Sequence, residues 1–205
     1  MKVIKYHQNS DAVRYLIKKD PILEKLFARK EEISVPIEEN YFQSLAGVII
    51  AQQLSSKVAA VIYKRLLILF LDEITPEKIK SADEVELRGI GLSYPKIKYL
   101  KSLAECVISK TVDLSDLDHL SNEKIIEMLV QIKGIGVWSA QMFLMFSLGR
   151  EDVFSVLDLG LRNAVKKVYE LPDLTNQEIE EISLNWSPYR SIVAHFLWHA
   201  WDNQS

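Results

Sequence analysis

Apolar positions recur at three- and four-residue spacing through nearly every segment, so helices are expected almost throughout. The pattern places them at about 10–19, 21–29, 38–52, 55–71, 76–80, 94–109, 121–131, 138–148, 158–169, 175–184 and 189–201. Strand signals are sparse, and the expected class is all-α. Several helix starts carry a residue whose side chain can accept from orphan first-turn amides. These are Ser10, Thr75 before Pro76, Ser121 with Lys124 following, and Thr175 with Glu178 completing a capping box. A weak internal echo joins Leu87-Arg88-Gly89-Ile90-Gly91 to Ile132-Lys133-Gly134-Ile135-Gly136, both read as Gly-Ile-Gly turns ahead of a helix. Two such turns do not make a solenoid.

Composition narrows the class. With 205 residues, 48% hydrophobic and 26% charged, the chain can bury a real core. It fits one large domain or two small lobes, and no Pro- or Gly-rich linker separates independent modules. The single cysteine, Cys106, excludes an intrachain disulfide and a four-cysteine iron–sulfur or zinc site, and points to a reducing compartment. The start, MKVIKYHQNSDAVRYL, lacks the apolar stretch and small-residue cleavage site of a secretory signal. The longest apolar run, Val58 to Leu71, is broken by Lys64 and Arg65 and is too short to cross a bilayer. The expected location is cytoplasmic and nucleoid-associated in a prokaryote, nuclear in a eukaryote. A net charge of −3 counts against a protein that coats phosphates broadly. A compact enzyme can still hold a few phosphates with backbone amides and a local basic rim.

Chemistry enters at Leu129-Val130-Gln131-Ile132-Lys133-Gly134-Ile135-Gly136-Val137-Trp138-Ser139-Ala140, which ends one amphipathic helix, turns on two glycines and starts another. Glycine permits positive φ in a tight turn and removes the Cβ that would hold a phosphate away from the backbone. Amides at the start of the second helix then point outward at its positive dipole end, with Lys133 adding charge at the rim. The plainer reading is a helix–turn–helix connection with a glycine C-cap. Further on, Asp158 before Leu159-Gly160-Leu161-Arg162 is a natural N-cap and also a carboxylate at the mouth of a helix. The two roles can coexist.

The hairpin resembles the helix-hairpin-helix of the base-excision DNA glycosylase superfamily. Its continuation, Asp152-Val153-Phe154-Ser155-Val156-Leu157-Asp158, is similar to that family's Gly-Pro/Val-Asp loop, which ends in a catalytic aspartate. Within the superfamily the likeness is greatest to 3-methyladenine DNA glycosylase II. It runs from about Tyr41 to Trp201 and includes Gly47-Val48-Ile49-Ile50-Ala51-Gln52-Gln53-Leu54-Ser55, Gly91-Leu92-Ser93-Tyr94-Pro95-Lys96 and Trp186-Ser187-Pro188-Tyr189-Arg190-Ser191.

The resemblance implies a two-lobed helical fold with a DNA cleft between the lobes. A central lobe of about 35–150 would carry the hairpin at 129–140, and a second lobe would comprise about 8–34 plus 151–205. It implies Asp158 as the catalytic carboxylate, which must be ionised to stabilise positive charge on the sugar or to guide water. Bifunctional relatives form a Schiff base through a lysine two residues past the last hairpin glycine. Trp138 stands there, so the resemblance implies a monofunctional enzyme without lyase activity. Trp138 and Trp198 match aromatic pocket walls for an electron-poor alkylated purine such as 3-methyladenine or 7-methylguanine. Met142 replaces the tyrosine of the deepest family pocket, which leaves the base range open. Gln53 matches the wedge that fills the hole left by a flipped base, with Gln52 beside it. Leu92 is placed as a plug on the opposite side, and Gly134, Gly136, Lys133, Ile135, Ser55 and Lys96 as DNA contacts. Lys57, Arg162 and Arg190 are further phosphate or rim contacts.

Each assignment has a plainer counterpart. Trp138 and Trp198 can be core filler, Gln53 the polar end of a helix, and Ser55 an N-cap. His195, His199 and Asp202 share a helical face but lack a metal-binding spacing, and no metal or cofactor is expected. The exception is a monovalent cation on the carbonyls of Val130, Ile132 and Ile135, which family hairpins can hold. The expected partner is damaged double-stranded DNA, bound by a monomer away from membranes. Alternatives are a glycosylase for hypoxanthine, ethenoadenine or uracil, a catalytically inactive DNA-binding module, and a helical adaptor that would leave the hairpin and Asp158 unexplained.

Overall fold

The structure is a computed structural model and describes residues 2–202. It contains twelve helices and one two-stranded sheet among the described residues. Two compact units divide the chain: a terminal unit, Met1–Ile37 with Leu144–Ser205, and a central unit, Glu38–Phe143.

The terminal unit holds β1 (Lys2–His7), α1 (Asp11–Lys19), α2 (Leu23–Phe27), β2 (Glu32–Ile37), α10 (Leu159–Val168), α11 (Asn176–Leu184) and α12 (Arg190–Asp202). Ser10 caps α1 by accepting from Val13 N, and Thr175 with Glu178 forms the capping box of α11. Its core gathers Val13, Leu16, Leu23, Phe27, Val165, Ile179 and Trp186, all at most 1% exposed. Phe27 meets Phe196 edge to face, with ring centroids 4.8 Å apart. Beneath the α1–α2 turn, the Asp20 carboxylate accepts from the Tyr169 hydroxyl and, at 3.1 Å, from Trp186 Nε1.

The sheet adds to the expected all-α class. Strands β1 and β2 pair antiparallel, Lys2 opposite Ile37 and His7 opposite Glu32. Along β1 only Tyr6 is fully buried, so the alternation that marks a half-buried strand is faint in the sequence. Packing fixes the pair instead: a Cβ at Gly149, where φ is +63°, would run into Ile4 Cδ1 and touch Ile37 Cδ1.

The central unit holds α3 (Tyr41–Ala51), α4 (Ser56–Leu69), α5 (Pro76–Ser81), α6 (Glu84–Gly89), α7 (Tyr94–Ile108) and α8 (Asn122–Leu129). Helix α9 (Val137–Phe146) begins in this unit and contributes its last residues to the other. Thr75 and Ser121 cap α5 and α8 as expected, and Asn40, Ser55, Asp83 and Ser93 cap α3, α4, α6 and α7. Leu45, Ile49, Ile50, Leu66, Leu100, Ile125 and Leu129 are 0% exposed and form its core. No helix among the described residues is long and apolar enough to cross a membrane.

The sequence echo dissolves in three dimensions. In the first copy Gly89 is the last residue of α6 and Gly91 takes the positive φ, +106°. In the second it is the first glycine, Gly134, that does so, at +93°.

Candidate functional site

In the central unit the turn between α8 and α9 is built on Gly134. A Cβ there would overlap the Tyr99 ring, so the turn lies directly on α7. Two further bonds fix it: Lys133 N donates to Ser102 Oγ at 3.1 Å, and Gln52 Nε2 donates to the Gly134 carbonyl at 2.8 Å. Ile132 and Ile135 anchor it below, 0% and 4% exposed, so the Ile135 side chain is part of the core and not of the surface. Gly136 differs in kind. Its carbonyl accepts from Ala140 N at 3.0 Å, which makes it the residue at the head of α9. A Cβ on it would meet nothing within 4 Å. The positive end of the α9 dipole therefore opens at an exposed residue with no side chain of its own. Lys133 is exposed beside it.

The Ile132 carbonyl closes the turn by accepting from Ile135 N at 3.0 Å, which leaves it a second lone pair. Backbone carbonyl oxygens, such as those expected from Val130, Ile132 and Ile135, suit an alkali cation and not a transition metal. No group of three or more His, Cys, Asp or Glu that could hold a metal occurs among the described residues. The Asp202 side chain, grouped with His195 and His199 from the sequence, lies outside the described residues.

The turn between α3 and α4 presents Gln53. It is exposed and held at φ +59°, a left-handed conformation unusual for a residue with a side chain. Its neighbour Gln52 turns into the hairpin, so the adjacent glutamines have different surroundings. Ser55 acts as the α4 cap, accepting from Val58 N at 3.4 Å.

Leu92 corrects the sequence reading. It is 0% exposed, part of the core beneath the α6–α7 turn, and cannot plug a gap in DNA. Tyr94, the first residue of α7, is instead 59% exposed, with the Arg88 guanidinium 4.6 Å from its ring centroid. Among the cations nominated as DNA contacts, Lys96 donates to the Ile50 carbonyl at the end of α3, at 2.6 Å, and burial lowers its pKa. Arg162 donates to the Val156 carbonyl at 2.8 Å. Arg190 forms a two-pronged pair with Asp152, at 2.7 and 3.1 Å. All three make hydrogen bonds within the fold, and Lys57 is exposed. Nothing in a one-dimensional pattern separates a lysine that caps a helix end from one that meets a phosphate.

In the terminal unit, Asp158 caps α10: its Oδ1 accepts from Leu161 N at 2.9 Å. The same oxygen accepts from Trp198 Nε1 at 3.2 Å. Exposed leucines flank it, Leu157 at 53% and Leu159 at 62%. Trp198 is half-buried, with Phe146 and His195 ring centroids 5.6 and 5.7 Å away. Trp138, half-buried in the first turn of α9, and Met142, 8% exposed one turn on, belong to the central unit. The Trp198–Asp158 bond joins residues with no local relation in the chain. One signal was available: Gly160 stands in the first turn of a helix, where glycine destabilises and needs a reason.

His195 is 5% exposed and stacks on Tyr6, with centroids 5.5 Å apart. Burial pushes its pKa down from 6.5 to about 4. The unfolded chain therefore binds a proton that the folded one refuses. Its stabilising share is fully present above pH 6.5 and is lost as pH falls towards 4. The loss comes to about 3 kcal/mol. His195→Phe is expected to shrink the wild-type fall in urea-unfolding free energy between pH 7.5 and 5 by about 2 kcal/mol; an unchanged difference between the two pH values would assign that fall to other groups.

A capped carboxylate on one helix and a glycine hairpin heading another define a class when read with the whole chain. The model of the HhH-GPD superfamily of base excision DNA repair proteins matches residues 46–188, and the chain belongs to that family. It is 38% identical over 161 residues to the DNA-3-methyladenine glycosylase 1 of Schizosaccharomyces pombe, which spans 77% of this chain and 71% of that one. The crystal structure of a DNA-3-methyladenine glycosidase from Bacillus halodurans matches with a TM-score of 0.87 and 35% identity, over 96% of this chain and 92% of that one. The S. pombe 3-methyladenine DNA glycosylase in complex with abasic DNA matches at 0.76 and 33%, over 93% and 91%.

Proposed function

We propose that this chain is a monofunctional DNA glycosylase, acting as a monomer on damaged double-stranded DNA and hydrolysing the N-glycosidic bond of alkylated purines such as 3-methyladenine and 7-methylguanine. The observation that carries the reading is the Asp158 carboxylate, fixed at the head of α10 and bonded by Trp198. Breaking the bond sends its electron pair to the base nitrogen and leaves positive charge on the sugar. A fixed carboxylate beside that charge stabilises the transition state. Water then bonds to the sugar carbon and gives up a proton, either to Asp158 or to solvent, and an abasic site remains.

The other parts follow from this. Flipping a base costs a few kcal/mol and leaves a gap in the stack. Gln53, exposed on its left-handed turn, fills the gap and can hydrogen-bond the orphaned partner base. The backbone around Gly136, with Lys133, holds a phosphate, and a monovalent cation on the Val130, Ile132 and Ile135 carbonyls would add charge there. In the central unit, the Trp138 ring and Met142 supply aromatic and apolar surface for the base. A cationic methylated purine gains roughly 0.5–2 kcal/mol against such a ring over a neutral one and is a good leaving group.

Trp138 occupies the position of the lyase lysine and has no amine. Borohydride added during turnover is expected to trap no covalent enzyme–DNA adduct, and the strand is expected to stay whole until treated with hot alkali. A trapped adduct or prompt nicking contradicts the monofunctional reading. Duplexes carrying hypoxanthine, ethenoadenine or uracil, run in parallel, rank the lesions.

A further inference from the structure

Asp158 Oδ1 accepts two hydrogen bonds of different origin. The Leu161 amide, at 2.9 Å, is the ordinary bond of an N-cap and comes from the same helix. The Trp198 indole N–H, at 3.2 Å, comes from α12. One capping bond fixes an oxygen but leaves the carboxyl plane free to turn about it. A second donor to the same oxygen, from another helix, restrains that rotation further and so helps set where Oδ2 lies.

The indole is itself held. Phe146 lies against it at 5.6 Å with the planes 32° apart, and His195, stacked on Tyr6, lies 5.7 Å away. Gly160 leaves room around the bond. A Cβ there would sit 3.2 Å from Asp158 Oδ1 and 3.7 to 3.8 Å from Trp198 Cδ1 and Nε1, tighter than such an oxygen contact normally is.

We infer that Trp198 is a positioning residue for Asp158, acting through its indole N–H, and that Gly160 is the space this bond requires. The inference rests on the reading of Asp158 as the carboxylate that faces the sugar. It assigns Trp198 a task distinct from lining a base pocket, because stacking uses the ring faces and positioning uses the N–H at the edge.

The test separates the two by changing one atom. Trp198 is replaced in the full chain by benzothienylalanine, which keeps the bicyclic shape and puts sulfur in place of N–H. Single-turnover release from methylated duplex is expected to fall about 10- to 100-fold, with Tm and affinity for an abasic-site duplex unchanged. Gly160→Ala is expected to slow release as well, and combining it with benzothienylalanine to cost less than the product of the two losses. Independently of activity, the Trp198 indole proton resonance, assigned by its absence in Trp198→Phe, is expected to move upfield in Asp158→Ala.

Wild-type rates with benzothienylalanine, or an indole resonance indifferent to Asp158→Ala, overturn the inference. So does a loss of rate that only follows a loss of Tm. If Asp158→Asn releases base as fast as wild type, the proposed function is what fails, and the indole resonance still reports whether the bond exists.

Discussion

Asp158→Asn is expected to slow single-turnover base release by about 10³-fold while leaving folding and duplex affinity nearly unchanged. Asparagine is as good an N-cap as aspartate, so the Leu161 bond and the head of α10 survive. Its amide oxygen can still accept from Trp198. The negative charge alone is removed, and that charge faces the sugar cation in the proposed mechanism. Asp158→Ala makes the contrast, since it loses the cap as well and is expected to cost about 1 kcal/mol of stability. Rate, Tm and affinity measured on both variants separate chemistry from folding. An Asn variant that works at the wild-type rate would make Asp158 a cap and nothing more.

Gly134→Ala is expected to destabilise the protein by about 3 kcal/mol, the sum of a left-handed backbone and an overpacked contact. Its φ of +93° is one that a residue with a Cβ rarely adopts, and the added carbon would drive into the Tyr99 ring. Relief requires the turn to lift from α7, which breaks the Lys133–Ser102 and Gln52–Gly134 bonds. Gly136→Ala should behave in the opposite way. Its Cβ enters open space, so stability is expected to fall by no more than about 1 kcal/mol, while duplex affinity drops because the carbon occupies the phosphate's approach. Urea unfolding and DNA titration of the two variants give the comparison. Equal effects of both substitutions on both measurements would dissolve the distinction between a structural and a ligand-facing glycine.

The helices were legible because amphipathic spacing and capping are local. Ser10, Thr75, Ser121 and Thr175 each accept the amide that their positions announce. The pair β1–β2 was not, since its partners lie far apart in the chain and its stability comes from Ile4 and Ile37 packing around Gly149. Helix α6 was missed because it is short and ends in glycine. Leu92 was misread for a related reason: a motif fixes where a loop is, and burial decides which of its side chains faces out.

The candidate site divides along the same line. Asp158 and the hairpin glycines stand in continuous motifs and could be named from them. The inward turn of Gln52, the commitment of Lys96 to Ile50, and the Trp198–Asp158 bond are tertiary facts, visible only once separate helices are placed. Sequence could nominate Trp198 as an aromatic surface, but not as a hydrogen-bond donor to a carboxylate far away in the chain.

The most direct measurement is base release from methylated duplex DNA by the wild-type chain under single-turnover conditions, with the freed bases identified by chromatography. Free 3-methyladenine is expected, from a strand that stays intact until heated in alkali. Tight binding of the same duplex with no methylated base released contradicts the proposed glycosylase and leaves a DNA-binding module in its place.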